Sequence, residues 1–165
     1  MIALDTILVA TDFGSASETA LAYGRALAAG FGAKLHVIHV VPHAYLSAAM
    51  EYGYASVPMS VQQEIERGAR QQLDALLTDE DRQTLHATTD VIPHNTPAFA
   101  IVDYAKSNRV NLIVLGTHGR GALSHVFMGS VAERVVRMAP CPVLTVRHPE
   151  HEFVFPDALV AVSRA

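Results

Sequence analysis

Cysteine is nearly missing from this 165-residue chain, where Cys141 is the only one. No internal disulfide can form, and the count fits a reducing compartment. Cys141 has no companion thiols for a structural zinc site and no base placed beside it for thiol chemistry, so between Pro140 and Pro142 it reads as a packed side chain. Long blocks of positive charge are missing too. With 12 Lys and Arg against 16 Asp and Glu, the formal net charge is -4, which leaves no electrostatic footprint for DNA or RNA. Nucleic acid is not an expected partner. No apolar run approaches membrane-spanning length, and Asp5 and Asp12 stand where a secretory leader is basic and then apolar. The expected location is the cytoplasm. No internal repeat and no Gly/Ser linker splits the chain, and a hydrophobic content of 50% is enough for one substantial core.

What the chain does have is a glycine-rich connection between an apolar run and a helical pattern. Residues 111–115, Asn-Leu-Ile-Val-Leu, have the continuous apolar character of a strand buried on both faces. Gly116 follows and lets the backbone leave that strand close to a ligand. Gly129 and Ser130 then open a second turn before a helix through Val131 and Val135, and successive amides at such a helix start can hold anionic oxygens. A nucleotide is the expected ligand. Two commoner glycine signatures fit poorly. Residues 116–121 have P-loop glycine spacing, but Ala122 stands where the phosphate-reaching lysine belongs. Gly119 and Gly121 begin a dinucleotide fingerprint, yet Ser124 replaces its third glycine and the loop lies late in the chain.

The segment resembles the nucleotide-binding signature of the universal stress protein family, in its UspA-like, ATP-binding class. In that signature two residues separate the first glycines, and nine separate the second from a Gly-Ser or Gly-Thr pair; Gly116, Gly119, Gly129 and Ser130 match it. The flanking Val-Leu-Gly-Thr-His-Gly-Arg, Gly-Ser-Val-Ala-Glu-Arg-Val and Ala-Pro-Cys-Pro-Val-Leu resemble the family as well, as does Ile7-Leu-Val-Ala-Thr-Asp12-Phe. The resemblance covers residues 1–148, taken as one nucleotide-binding domain, and leaves residues 149–165 as a C-terminal tail with apolar Val154, Phe155 and Leu159. It implies a five-stranded parallel α/β fold, ATP as ligand with or without magnesium, and a homodimer paired through strand 5. By the same resemblance Asp12 matches an ATP-contacting aspartate, and backbone contacts around Ala10, Thr11 and Val41 hold the adenosine.

Periodicity places the remaining elements. Residues 4–10 read as strand 1, followed by a helix that Ser15 or Ser17 caps and Gly30 and Gly32 end. Residues 34–41 give strand 2, on which His36 and His39 face opposite sides. Residues 42–59 read as a long loop, 60–77 as a helix with Val61, Ile65, Ala69 and Leu73 on one face, and 84–91 as a weak strand 3. A helix over 98–107, strand 4 over 112–115, a helix over 131–138 and strand 5 over 143–146 complete an open α/β sheet, helices on both faces, of implied order 3-2-1-4-5. That order switches between strands 1 and 4, where such sheets bind ligands.

The expected nucleotide-binding residues are therefore Ala10, Thr11, Asp12, Val41, Gly116, Gly119, Arg120, Gly129, Ser130 and Val131. Arg120 faces phosphate or solvent. No catalytic residue and no metal ligand is assigned, since His118 and His125 have no partner arrangement in sequence. The leading expectation is a nucleotide-dependent stress-response regulator, which acts on a protein partner that the sequence does not identify. The alternatives are a slow magnesium-dependent ATP hydrolase and a nucleotide-free dimeric adaptor.

Overall fold

The computed structural model describes residues 2–43, 59–117 and 129–148. Five strands, β1 (Thr6–Ala10), β2 (Lys34–Val41), β3 (Thr88–Pro93), β4 (Leu112–Gly116) and β5 (Val143–Val146), form one sheet of order β3-β2-β1-β4-β5. Every pairing is parallel; Val9 lies beside Val37 on one side and Val114 on the other. A central parallel strand has to bury both of its faces, and Ile7, Leu8 and Val9 are all fully buried.

Alternation along the strands sorts the core into two layers. Ile7, Val9, Leu35, Val37 and Val114 face α1 (Ser15–Phe31) and α2 (Met59–Leu76), which supply Ala20, Leu21, Ala28, Ala69 and Leu73. Leu8, Ile38, Ile113 and Leu115 face α4 (Pro97–Ser107) and α5 (Ser130–Met138), through Ala98, Ile101, Ala105, Ala132 and Val135. Among the described residues, no helix is long and apolar enough to cross a membrane.

Two glycines set how closely α1 lies on the sheet. A Cβ on Gly24 would overlap Val9 Cγ2, and one on Gly116 would stand 2.8 Å from Ala16 Cβ and 2.9 Å from the Ala16 carbonyl carbon. Gly116 therefore serves helix–strand packing, a role its sequence context did not suggest.

Three local expectations need correction. Ser15 and Ser17 do not cap α1: Gly14 is the N-cap, and Ser17 Oγ donates back to the Gly14 carbonyl at 2.8 Å. Gly30 lies inside the helix, and only Gly32, at φ 65°, ends it in the left-handed conformation. Strand 3 begins at Thr88 because residues 79–84 form a short helix, α3 (Asp79–Thr84). There Thr78 Oγ1 accepts from the Asp81 amide and the Asp81 carboxylate accepts from the Thr78 amide, a reciprocal cap that fixes the first turn. Arg25 Nε donates to both Asp81 carboxylate oxygens at 3.0 Å and ties α3 to α1. The expected 42–59 loop and the tail lie almost wholly outside the described residues.

Candidate functional site

At the carboxyl ends of β1 and β4, where the strand order reverses, the described residues enclose a cavity of about 440 Å³. Ala10, Thr11 and Asp12 bound it from β1, Gly116 and Thr117 from β4, and Gly129, Ser130, Val131 and Ala132 from the start of α5. Seven of the ten sequence-expected residues thus meet in one place. Gly119 and Arg120 lie outside the described residues. From β2 the wall takes His39 and Val40; Val41 is the next residue, buried, with its carbonyl accepting from the His94 amide at 2.8 Å.

The start of α5 gives the cavity its electrostatic character. The Glu133 amide makes the first intrahelical bond, to the Gly129 carbonyl at 3.0 Å, so the amides of Ser130, Val131 and Ala132 precede the ladder. Among the described residues, no side chain caps this end. Three amides and the positive end of the helix dipole therefore meet a cavity whose wall their own residues form. The Gly129 amide donates to the Thr117 carbonyl at 2.6 Å, which fastens the helix start to the end of β4. Gly129 itself has φ -68° and ψ 152°, an ordinary extended conformation, so no left-handed backbone demands glycine there.

Opposite α5, the turn after β1 is held by its own hydrogen bonds. Thr11 Oγ1 accepts from the Phe13 amide at 3.0 Å and lies 2.9 Å from Ser17 Oγ. Because the Ser17 proton goes to the Gly14 carbonyl, the Thr11 hydroxyl donates to Ser17. Asp12 Oδ1 accepts from the Gly14 amide at 3.0 Å, an Asx turn that fixes the carboxylate at the rim. Among the described residues, Asp12 is the only carboxylate in the wall, and no Lys or Arg is present. Ile38, Val40, Pro97 and Ile101 make part of the wall apolar. The wall thus offers apolar surface, one carboxylate acceptor at Asp12 and backbone donors at the start of α5.

Nine wall residues are not among the sequence-expected ones: Ser17, Leu115, Thr117 and Ala132 adjoin expected segments, while Ile38, His39, Val40, Pro97 and Ile101 come from β2 and α4, which carry no glycine signature. His36 stands apart from the cavity, its Nδ1 3.1 Å from the Tyr104 hydroxyl. Burial, helped by nearby Lys34, pushes the His36 pKa down; burial and Asp90 push that of Tyr104 up. Burial likewise raises the Cys141 thiol above its ordinary value despite a backbone hydrogen bond at Ile113, leaving it a poor nucleophile at neutral pH.

The universal stress protein family model matches residues 3–147. A universal stress protein from Thermus aquaticus is 34% identical over 143 residues, which cover 86% of this chain and 98% of that protein. Among solved structures, the universal stress protein UspA from Lactobacillus plantarum is 25% identical with a TM-score of 0.66, over 89% of this chain and 100% of that one. The same fold recurs in the universal stress protein of Archaeoglobus fulgidus solved in complex with dAMP, at 22% identity and a TM-score of 0.60, over 88% and 99% of the two chains. Sequence and architecture agree over nearly all of the described residues, and the chain belongs to the universal stress protein family.

Proposed function

We propose that this chain binds an adenine nucleotide, ATP in the first place, in the cavity between β1 and β4, and works as a nucleotide-dependent stress-response regulator. The observation that carries the reading is the start of α5, which no side chain caps among the described residues and whose Ser130, Val131 and Ala132 line the same cavity as Asp12. In this reading phosphate oxygens take the amides of those three residues, Gly119 and Arg120 are proposed phosphate contacts on the strength of the family signature, Asp12 accepts from ribose hydroxyls, and the base lies between Val40 and Ile101. Asp12 would help to hold a magnesium ion brought with the nucleotide, and the ion would supply charge neutralisation to the phosphates. The dAMP complex of the Archaeoglobus fulgidus protein supports the choice of an adenine nucleotide.

The binding unit is residues 1–148, the proposed compartment is the cytoplasm, and the proposed assembly is a homodimer. β5 is an edge strand whose Val143, Leu144 and Thr145 are only partly covered, and a second copy laid against it satisfies both edges. Sedimentation of the purified chain tests the assembly; a monomer at working concentration removes it.

Calorimetric titration of nucleotide-free protein with ATP, ADP, AMP and cyclic AMP, beside a phosphate-release assay, tests the function. Saturable ATP binding without phosphate release is the expected result. Steady phosphate release moves the reading to slow hydrolysis, and a folded protein that takes up no adenine nucleotide at millimolar concentration overturns it.

A further inference from the structure

We propose that His39 is a positioning residue for the β1–α1 turn: one imidazole grips both neighbours of Asp12 and so sets where that carboxylate stands at the cavity rim. The inference rests on the nucleotide-binding reading above. His39 Nδ1 lies 2.7 Å from the Thr11 carbonyl oxygen. A carbonyl can only accept, so the proton sits on Nδ1, and this bond fixes the plane of the peptide joining Thr11 to Asp12. On the other flank, the Phe13 ring packs on the same imidazole, with centroids 4.4 Å apart and planes at 43°.

That second contact matters because Phe13 has φ 62°, a left-handed conformation that a bulky residue adopts only when its surroundings over-determine it. The surroundings are identifiable. The Phe13 amide is held by Thr11 Oγ1, the Gly14 amide by Asp12 Oδ1, and the Thr11 amide by the Ile38 carbonyl at 2.9 Å, one residue before His39. β2 thus grips the turn twice, through its backbone at Ile38 and through the side chain of His39. Without the imidazole the Thr11 carbonyl loses this hydrogen bond, and the Phe13 ring keeps its packing on the core but loses its contact with β2. The turn then relaxes toward negative φ at Phe13, and Asp12, between the two, moves with it.

The test pairs two substitutions. Asparagine carries Nδ2 at nearly the position of imidazole Nδ1, so His39→Asn keeps the donor to Thr11; His39→Leu keeps bulk and removes the donor. His39→Leu is expected to weaken ATP binding about tenfold and His39→Asn to stay within about threefold of wild type, the scale of one lost hydrogen bond against one retained. Both variants are expected to melt cooperatively. Equal affinity in wild type and a folded His39→Leu overturns the proposal, and so does an equal loss in both variants. Nitrogen NMR of ligand-free wild type is expected to show the Nδ1-protonated tautomer, a readout that needs neither variant to fold; the Nε2-protonated form overturns the proposal. If wild type takes up no ATP, the nucleotide reading fails and the positioning claim is judged on ligand-free amide shifts. Movement of Asp12, Phe13 and Gly14 in His39→Leu but not in His39→Asn supports it, and movement in neither overturns it.

Discussion

Replacing Gly116 with alanine separates two roles a glycine can have at the end of a strand. The added methyl would meet Ala16 Cβ at 2.8 Å, the Ala16 carbonyl carbon at 2.9 Å and the Ser17 amide nitrogen at 3.0 Å. Ordinary carbon contacts lie near 3.5–4.0 Å, so the first turn of α1 has to retreat by roughly 1 Å. Two of the three obstructing atoms are backbone, and no rotamer change relieves them. Overpacking of this kind costs about 1–3 kcal/mol, against about 0.4–1 kcal/mol gained from a less flexible unfolded chain, which leaves a net loss of about 1–2 kcal/mol. For a chain of this size the melting temperature should fall by about 3–8 °C. Nucleotide affinity should fall with it, because Ser17 is bonded to Thr11 and Gly14, and a retreating α1 pulls the turn that carries Asp12. Urea unfolding with parallel ATP titration measures both. A Gly116→Ala protein as stable as wild type, with α1 unmoved, refutes the packing argument; lost affinity at raised stability would instead return Gly116 to a role in ligand approach.

Gly30 offers the opposite outcome: it lies inside α1 with nothing within 4 Å of an added Cβ, so Gly30→Ala should stabilise the protein by about 0.5–1 kcal/mol in urea unfolding. Asp81 predicts an acid limb. Burial pushes its carboxyl up, but the Arg25 guanidinium and the Thr78 cap outweigh that and hold it below its ordinary 3.8. Its contribution is full above that value and is lost as pH falls from there through the lower folded-state value. Arg25→Met should cost about 2–3 kcal/mol at neutral pH, less than a fully buried pair because Arg25 is partly exposed, and should flatten the acid limb in pH-dependent melting. Gly129→Val should reduce ATP affinity more than stability, since φ at Gly129 suits any residue and the new side chain is placed beside the α5 amides; unchanged affinity in the folded variant removes Gly129 from the phosphate end.

The elements legible in the sequence were those whose evidence is local. Residues 34–41 and 143–146 are short runs rich in Val, Leu and Ile, and both are strands with those bounds. The α5 start was legible because Gly-Ser follows the loop and precedes a 3.6-residue apolar period. α3 was missed because six polar residues show no apolar period, although Thr78 and Asp81 were spaced to cap it. The site divides in the same way. Asp12, Gly129 and Ser130 belong to a motif that names its own members. His39 and Ile101 reach the cavity from β2 and α4, a proximity that depends on the sheet order and not on any neighbour in sequence, whereas Ser17 is tied to Thr11 and Gly14 of the same turn. The packing of Gly116 on α1 was not legible because Ala16 lies 100 residues earlier in the chain, although Gly116 also lines the cavity as its motif implies.

Amide-resolved NMR of nucleotide-free protein titrated with ATP tests the central claim most directly, since the claim names the atoms. The amides of Ser130, Val131 and Ala132 should move together and saturably, with those of Asp12 and Val40 following at the same midpoint. Saturable shifts confined to another surface, or none at millimolar ATP in the folded protein, would contradict it.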